Sequence, residues 1–198
     1  AVPLIIEKII KKNVLPKLET PTMRFLMHVP LVNDKIKAKV REQLMNAFGG
    51  NFYEIIVGGA AFNQEIEAFL RSINFPYTVG YGMTECGPII CYEDWNIFKA
   101  GSCGKAAPRM EVKILSTNPQ NIPGEIITRG DNVMLGYYKN DEATKEVIDE
   151  EGWLHTGDLA KIDKDGFIYI TGRKKFVIVL KNGKNVYPEE LEILINKI

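Results

Sequence analysis

Residues 52–82 constrain the fold more than any other stretch. FYEIIVGGAAF (52–62) reads as a buried strand that runs into a Gly58-Gly59 turn. Asn63 follows as an N-cap, and QEIEAFLRSI places Ile66, Phe69, Leu70 and Ile73 on one helical face. YTVGYG (77–82) then reads as a second short strand. Strand, helix, strand is the unit of a parallel sheet, because parallel neighbours need a long crossover between them. The turns after both strands fall where open α/β sheets bind ligands.

Helices are expected upstream. Val2, Ile5, Ile6 and Ile9 keep helical spacing, with Lys8, Lys11 and Lys12 on the wetter side and Pro16 as the stop. A second helix spans 34–48, with Asp34 as its cap, Ile36, Val40, Leu44 and Phe48 as its stripe, and Gly49-Gly50 ending it. After about residue 98 the pattern changes. EVKILS, GEIITRG, LAKID and GFIYITG are short segments of period two, broken by turn signals such as Asp165-Gly166. They predict a small antiparallel barrel or curved sheet. KFVIVLKNGKNVYP (175–188) reads as a hairpin turning at Asn182-Gly183, and Pro188 opens a last helix. The expected class is α/β: part of a parallel-sheet subdomain over 1–97, an antiparallel β-barrel subdomain over 98–173, and the start of a mobile α+β domain over 174–198.

Composition excludes several functions. The 198 residues carry a formal charge of +0, and no run of about 18 apolar residues is present to span a bilayer. Charge is uneven: residues 1–41 hold nine Lys/Arg against three acids, while 141–151 hold six acids against Lys145 alone. Neutrality overall, without alternating basic and aromatic residues, argues against a nucleic-acid partner. Cys86, Cys91 and Cys103 lack zinc spacing and read as reduced, partly buried thiols. No secretory leader is recognisable, so a cytoplasmic protein is expected. The basic first helix leaves peripheral membrane contact as a minor alternative.

Three stretches carry chemistry. In YGMTECGPII (81–90), Gly80 and Gly82 flank Tyr81, and Thr84 and Glu85 offer a hydroxyl and a carboxylate side by side. In GWLHTGDLA (152–160), Asp158 sits between a glycine and a strand start, where a carboxylate can accept hydrogen bonds from a ribose diol. In TGRKK (171–175), Arg173 can bind phosphate or a ribose oxygen with its fork of donors. Each also has a plain structural reading: Thr84-Glu85 a local cap, Asp158 an Asx turn, Lys174 and Lys175 a solvated charge run. His155 reads as structural.

Taken in order, GGAAF, YGMTE, GEIITRGDNVMLGYY, WLHTGDLA and GRKKFVIVLKNGKNVYPEELE resemble the adenylate-forming, AMP-binding superfamily. Over roughly residues 40–198 the chain looks most like a bacterial long-chain fatty acid–CoA ligase. The resemblance implies ATP-dependent activation of a fatty acid to an acyl-adenylate, then thioester formation with coenzyme A, assisted by Mg2+. It implies that Gly59, Ala60 and Ala61 line the adenine and acyl pocket. Tyr81, next to Gly82, would stack on adenine, and Thr84 would reach the phosphate while Glu85 holds Mg2+. Asp158 and Arg173 would bind the ribose, and Lys175 would mark the hinge of the C-terminal domain. Phe176 stands where the family often has Asp after that hinge, which leaves the hinge motion open.

The family's Ser/Thr/Gly-rich phosphate loop belongs upstream of GGAAF, and its catalytic lysine beyond residue 198. The expectation is therefore a middle-to-late piece of a synthetase, with little complete turnover alone and a tendency to self-associate through apolar helix surface. An acyl-AMP ligase serving a carrier protein and a non-catalytic nucleotide-binding module are the alternatives.

Overall fold

A computed structural model describes residues 2–30, 32–180, 185–186 and 188–195. The chain forms two compact units, Ala1–Val79 with Asp94–Ala100, and Gly80–Glu93 with Gly101–Ile198. It is a mixed α/β protein with one parallel strand pair and several antiparallel sheets.

The first unit opens with helix α1 (Pro3–Ile9). Pro3, Ile6 and Ile10 are its buried row, while Val2 and Ile5 are more than half exposed. The buried stripe is thus rotated from the expected Val2–Ile5–Ile6–Ile9 row. Apolar residues cover most of this helix's circumference, so spacing alone allows more than one stripe and the partner surface selects. Pro16 does not end the helical run either. A wide π turn (Ile10–Val14), closed by Leu15 N–H donating to Ile10 O, restarts the helix as α2 (Leu15–Leu18). Pro16 then lies in the first turn of α2, where a missing N–H costs nothing. Helix α3 (Pro21–Leu26) is capped by the Thr20 hydroxyl, and α4 (Val32–Ala47) begins two residues before Asp34. Asp34 is therefore not its cap but an acid in the positively polarised first turn. The predicted stripe of α4 holds: Leu44 is buried, and Ile36, Val40 and Phe48 are half-buried.

Strand β1 (Ile55–Val57) pairs in parallel with β2 (Tyr77–Val79), Ile55 opposite Tyr77 and Val57 opposite Val79. Between them runs α5 (Gln64–Ser72), whose Asn63 cap accepts from the N–H groups of Glu65 and Ile66. Ile66, Leu70 and Ile73 enter a core with Val57, Phe75, Tyr77, Leu44, Ile6 and Ile10. The strand predicted from residue 52 up to the Gly58-Gly59 turn shrinks to three residues and is only partly buried. Tyr53 is exposed and bonds Asp94 instead, because β1 has one strand partner among the described residues.

The predicted strand 77–82 divides at Gly80. Its second part, β3 (Tyr81–Gly82), belongs to the second unit and pairs antiparallel with β4 (Ile89–Tyr92), which pairs with β5 (Lys105–Ala106). A second antiparallel sheet follows in the order β6 (Met110–Leu115), β7 (Gly124–Gly130), β8 (Leu154–Ile162), β9 (Ile168–Arg173). Burial alternates strictly along β6, as period-two patterning requires, whereas β7 is buried over its first five residues by its central position. No rung joins β6 to β9 among the described residues. Helix α6 (Asp141–Val147) lies between β7 and β8 in sequence, capped by Asn140. Strand β10 (Ile178–Val179) pairs antiparallel with β11 (Asn185–Val186), and α7 (Pro188–Ile195) starts at Pro188 as expected. The Asn182-Gly183 turn lies outside the described residues. Among these residues no helix is long and apolar enough to cross a membrane, and all three cysteines are free and buried.

Candidate nucleotide site

The site is built on an irregularity in β8. Glu125 of β7 lies opposite Leu159, and Ile127 opposite His155. Ile126 alone separates Glu125 from Ile127 on β7, while Thr156, Gly157 and Asp158 separate His155 from Leu159 on β8, so β8 carries a bulge. Gly157 makes it affordable with φ +72°, in the left-handed region that L side chains avoid. The bulge diverts backbone groups from the ladder, and side chains satisfy them. Gly157 N–H donates to Glu125 Oε1 at 3.2 Å, Thr156 Oγ1 donates to Ile126 O at 2.8 Å, and Asp158 N–H donates to Thr156 Oγ1 at 3.1 Å. Asp158 was expected on a turn just before a strand. It stands inside a strand, re-aimed by the bulge.

The Asp158 carboxylate is 7% exposed and grips two partners. Tyr81 Oη donates to Oδ2 at 2.7 Å, and Arg173 Nε forms an ion pair with Oδ1 at 3.0 Å. Arg173 reaches it because β9 pairs with β8 in a register that sets Asp158 opposite Arg173. Burial chiefly pushes the Tyr81 phenol above its ordinary range; the Thr156 hydroxyl works against this and the Asp158 carboxylate adds to it. Tyr81 therefore stays protonated at neutral pH and acts as a donor. Each carboxylate oxygen keeps a further lone pair, so the grouping can still accept from an outside hydroxyl. Three residues predicted separately, Tyr81, Asp158 and Arg173, form one cluster.

Gly82 is required by close approach. A Cβ there would lie 1.8 Å from Pro88 O, the acceptor that takes Met83 N–H at 2.8 Å. This contact folds the chain into the 3-10 turn Thr84–Cys86. Thr84 is exposed on it. Glu85 is gripped from the segment before α6: its backbone O accepts from Met134 N–H at 2.7 Å, and its Oε1 accepts from Tyr137 Oη at 2.9 Å. Tyr137 is itself fixed, since its N–H donates to Thr144 Oγ1 on α6 at 2.9 Å. The Glu85 carboxylate raises the Tyr137 phenol.

Gly59, Ala60 and Ala61 are exposed in the turn after β1, in the first unit, and Gly59 adopts φ +88°. Lys175 lies in the short 3-10 turn Lys174–Phe176, its Nζ 5.3 Å from the Phe176 ring centroid. A cleft of about 550 Å3 in the first unit, lined by Arg41, Asn46 and Asn74 among others, holds none of the predicted residues.

Sequence reasoning gave no site role to Glu125 or Tyr137, read His155 as structural and read Lys174 as part of a charge run. Glu125 Oε2 takes Lys174 Nζ at 2.9 Å and lies 3.4 Å from His155 Nδ1. Burial alone would raise the Glu125 carboxyl, but Lys174 and His155 outweigh it and hold it below the usual carboxylate range. His155 Nε2 lies 3.7 Å from Asp149 Oδ2. Lys174 is thus paired through its ammonium while its side chain stays largely solvent-exposed. Glu125 carried one signal, a lone acid inside an apolar strand; Tyr137 carried only its place after Gly136.

The cluster thus sets a buried carboxylate, a phenol and a guanidinium beside a glycine-flanked turn. Residues 1–138 match the family of AMP-binding enzymes, and the chain belongs to that family. It is 32% identical over 182 residues to the long-chain-fatty-acid–CoA ligase ACSBG2 of Rattus norvegicus, covering 91% of this chain and 27% of that one. It is 38% identical over 180 residues to 4-coumarate-CoA ligase 1 of Narcissus pseudonarcissus, covering 84% of this chain and 32% of that one. Among solved structures, o-succinylbenzoate CoA synthetase of Bacillus subtilis in complex with the acyl-adenylate intermediate OSB-AMP superposes with a TM-score of 0.67 at 28% identity. That match covers 79% of this chain and 34% of the synthetase. The chain therefore spans about a third or less of the length of these relatives.

Proposed function

We propose that this chain is the nucleotide-handling part of an ATP-dependent acid–CoA ligase whose acid is a long-chain fatty acid. The observation that carries the reading is the Asp158 carboxylate, buried and held between Tyr81 and Arg173. In this reading Asp158 accepts hydrogen bonds from the ribose hydroxyls, Arg173 adds a charge-assisted donor from the sugar side, and the Tyr81 ring packs on adenine. The parent reaction joins the acid carboxylate to the α-phosphate of ATP with release of pyrophosphate. The coenzyme A thiol then displaces AMP from the acyl carbon.

Glu85 fits a magnesium ligand by its chemistry. Mg2+ is usually held by one or two carboxylates plus substrate phosphates, and no group of three metal-binding side chains occurs among the described residues. Tyr137 holds Glu85 Oε1 with a neutral donor rather than with a competing cation. The ion would neutralise phosphate charge, while Thr84, exposed beside Glu85, offers a hydroxyl to a phosphate oxygen. The preference for a long-chain acid draws on the first relative, and 4-coumarate ligases stand as its competitor.

Calorimetric titration tests both levels. AMP binding by the chain, weakened about tenfold to a hundredfold in Asp158→Asn, is the expected outcome, since charge-assisted hydrogen bonds contribute about 1.5–3 kcal/mol. Equal AMP affinity in the two proteins overturns the ribose assignment. Tighter binding of a non-hydrolysable oleoyl-adenylate mimic than of a coumaroyl-adenylate mimic supports the fatty acid, and the reverse order replaces it with an aromatic acid.

A further inference from the structure

Glu125 lies in the GEIITRG stretch but was given no role there, yet its contacts converge on the residues that flank the site. It is 8% exposed at the second position of β7, where a buried acid is costly unless its charge is paired. One oxygen takes the N–H of Gly157, immediately before Asp158. The other takes Nζ of Lys174, immediately after Arg173, and lies beside His155 at the opening of the bulge. A single carboxylate thus touches β8 and the turn that follows β9, one residue away from each member of the Asp158–Arg173 pair.

We propose that Glu125 is a positioning residue for nucleotide binding: from β7 it closes the bulge in β8 and tethers the end of β9, so that Asp158 and Arg173 present themselves to the sugar as one unit. The inference rests on the ribose reading above. The physical argument is one of acceptors. Gly157 N–H has left the ladder, so without Glu125 the bulge loses a partner for it and can relax toward regular pairing. Relaxation would turn Asp158 with it, because each residue shifted in a strand changes the face its side chain takes. Removing the Lys174 tether frees the chain just beyond Arg173. A glutamine at 125 keeps an oxygen for Gly157 but turns an amide toward Lys174, so it should restore part of the function.

The test compares AMP with 2′,3′-dideoxyadenosine monophosphate, which lacks the diol, on the whole chain by calorimetry. Glu125→Ala should weaken AMP about tenfold and leave the dideoxy nucleotide unchanged, and Glu125→Gln should fall between Glu125→Ala and the native protein. Should Glu125→Ala fail to fold, Glu125→Gln carries the comparison, with about threefold weaker AMP binding and an unchanged analogue. Equal losses for both nucleotides make Glu125 purely structural and overturn the proposal, as does AMP binding that survives both substitutions. If the native chain does not distinguish the two nucleotides, the ribose reading itself falls, and this inference with it. That outcome is visible before any variant is made.

Discussion

The bond between Tyr81 and Asp158 should be the strongest side-chain interaction in the site, and a double-mutant cycle can measure it. Tyr81→Phe removes only the donor and keeps the ring, and Asp158→Asn removes the charge and keeps the shape. The Tyr81 hydroxyl donates at 2.7 Å to a carboxylate that is 7% exposed, so little solvent replaces the lost partner. Hydrogen bonds to charged groups contribute about 1.5–3 kcal/mol, and this geometry belongs in that range. Arg173 grips the same carboxylate at 3.0 Å, but its side chain is 56% exposed, which reduces that pair to about 0.2–1 kcal/mol. The Tyr81–Asp158 coupling should therefore exceed the Arg173–Asp158 coupling by about 1 kcal/mol or more. The assay is urea unfolding in a Trp95→Phe background, where buried Trp153 reports on the second unit alone. With a slope of about 2 kcal/mol/M, a 2 kcal/mol loss moves the midpoint by about 1 M. A Tyr81–Asp158 coupling below about 0.5 kcal/mol, the scatter of additive sites, would refute the reasoning, and so would a larger coupling through Arg173.

Two further predictions concern the same turn. Gly82→Ala puts a methyl group 1.8 Å from Pro88 O, and neither the Cβ, fixed by its own backbone, nor the Pro88 carbonyl can rotate away, so a loss of about 3 kcal/mol is expected in chemical denaturation; a native-like midpoint would show that the turn can open freely. Burial, with a smaller effect of Glu85, pushes the Cys86 thiol up to about 11, so at pH values near 8 it is both protonated and shielded. Native protein should resist iodoacetamide under conditions that alkylate all three cysteines of the unfolded chain, and rapid labelling of Cys86 in the native state would contradict its buried position.

Local chemistry made much of this protein legible in sequence. The Asn63 cap, the inward face of α5, the alternation along β6 and the proline start of α7 each depend on a few neighbouring residues, and each was found where expected. The motif order pointed to the AMP-binding family before any coordinates, and Tyr81, Asp158 and Arg173 could each be singled out by residue type. Their meeting could not, because Asp158 and Arg173 are joined by a strand register and Tyr81 by a hydrogen bond spanning 77 residues of sequence. Nor could the role of Glu125, since an isolated acid in a strand has no partner until other strands supply Gly157 and Lys174. The same limit governed α1, where an almost wholly apolar surface left the choice of buried face to whatever packs against it. Sequence alone determined the order of most elements, the Asn63 cap and the proline start of α7, which follow from interactions within about a helical turn or between neighbouring residues of a strand, and its motif order pointed to the family. Only the tertiary structure decided which side chains share a charge or an acceptor, because that depends on strand register and bulges that bring distant residues within 3 Å of one another.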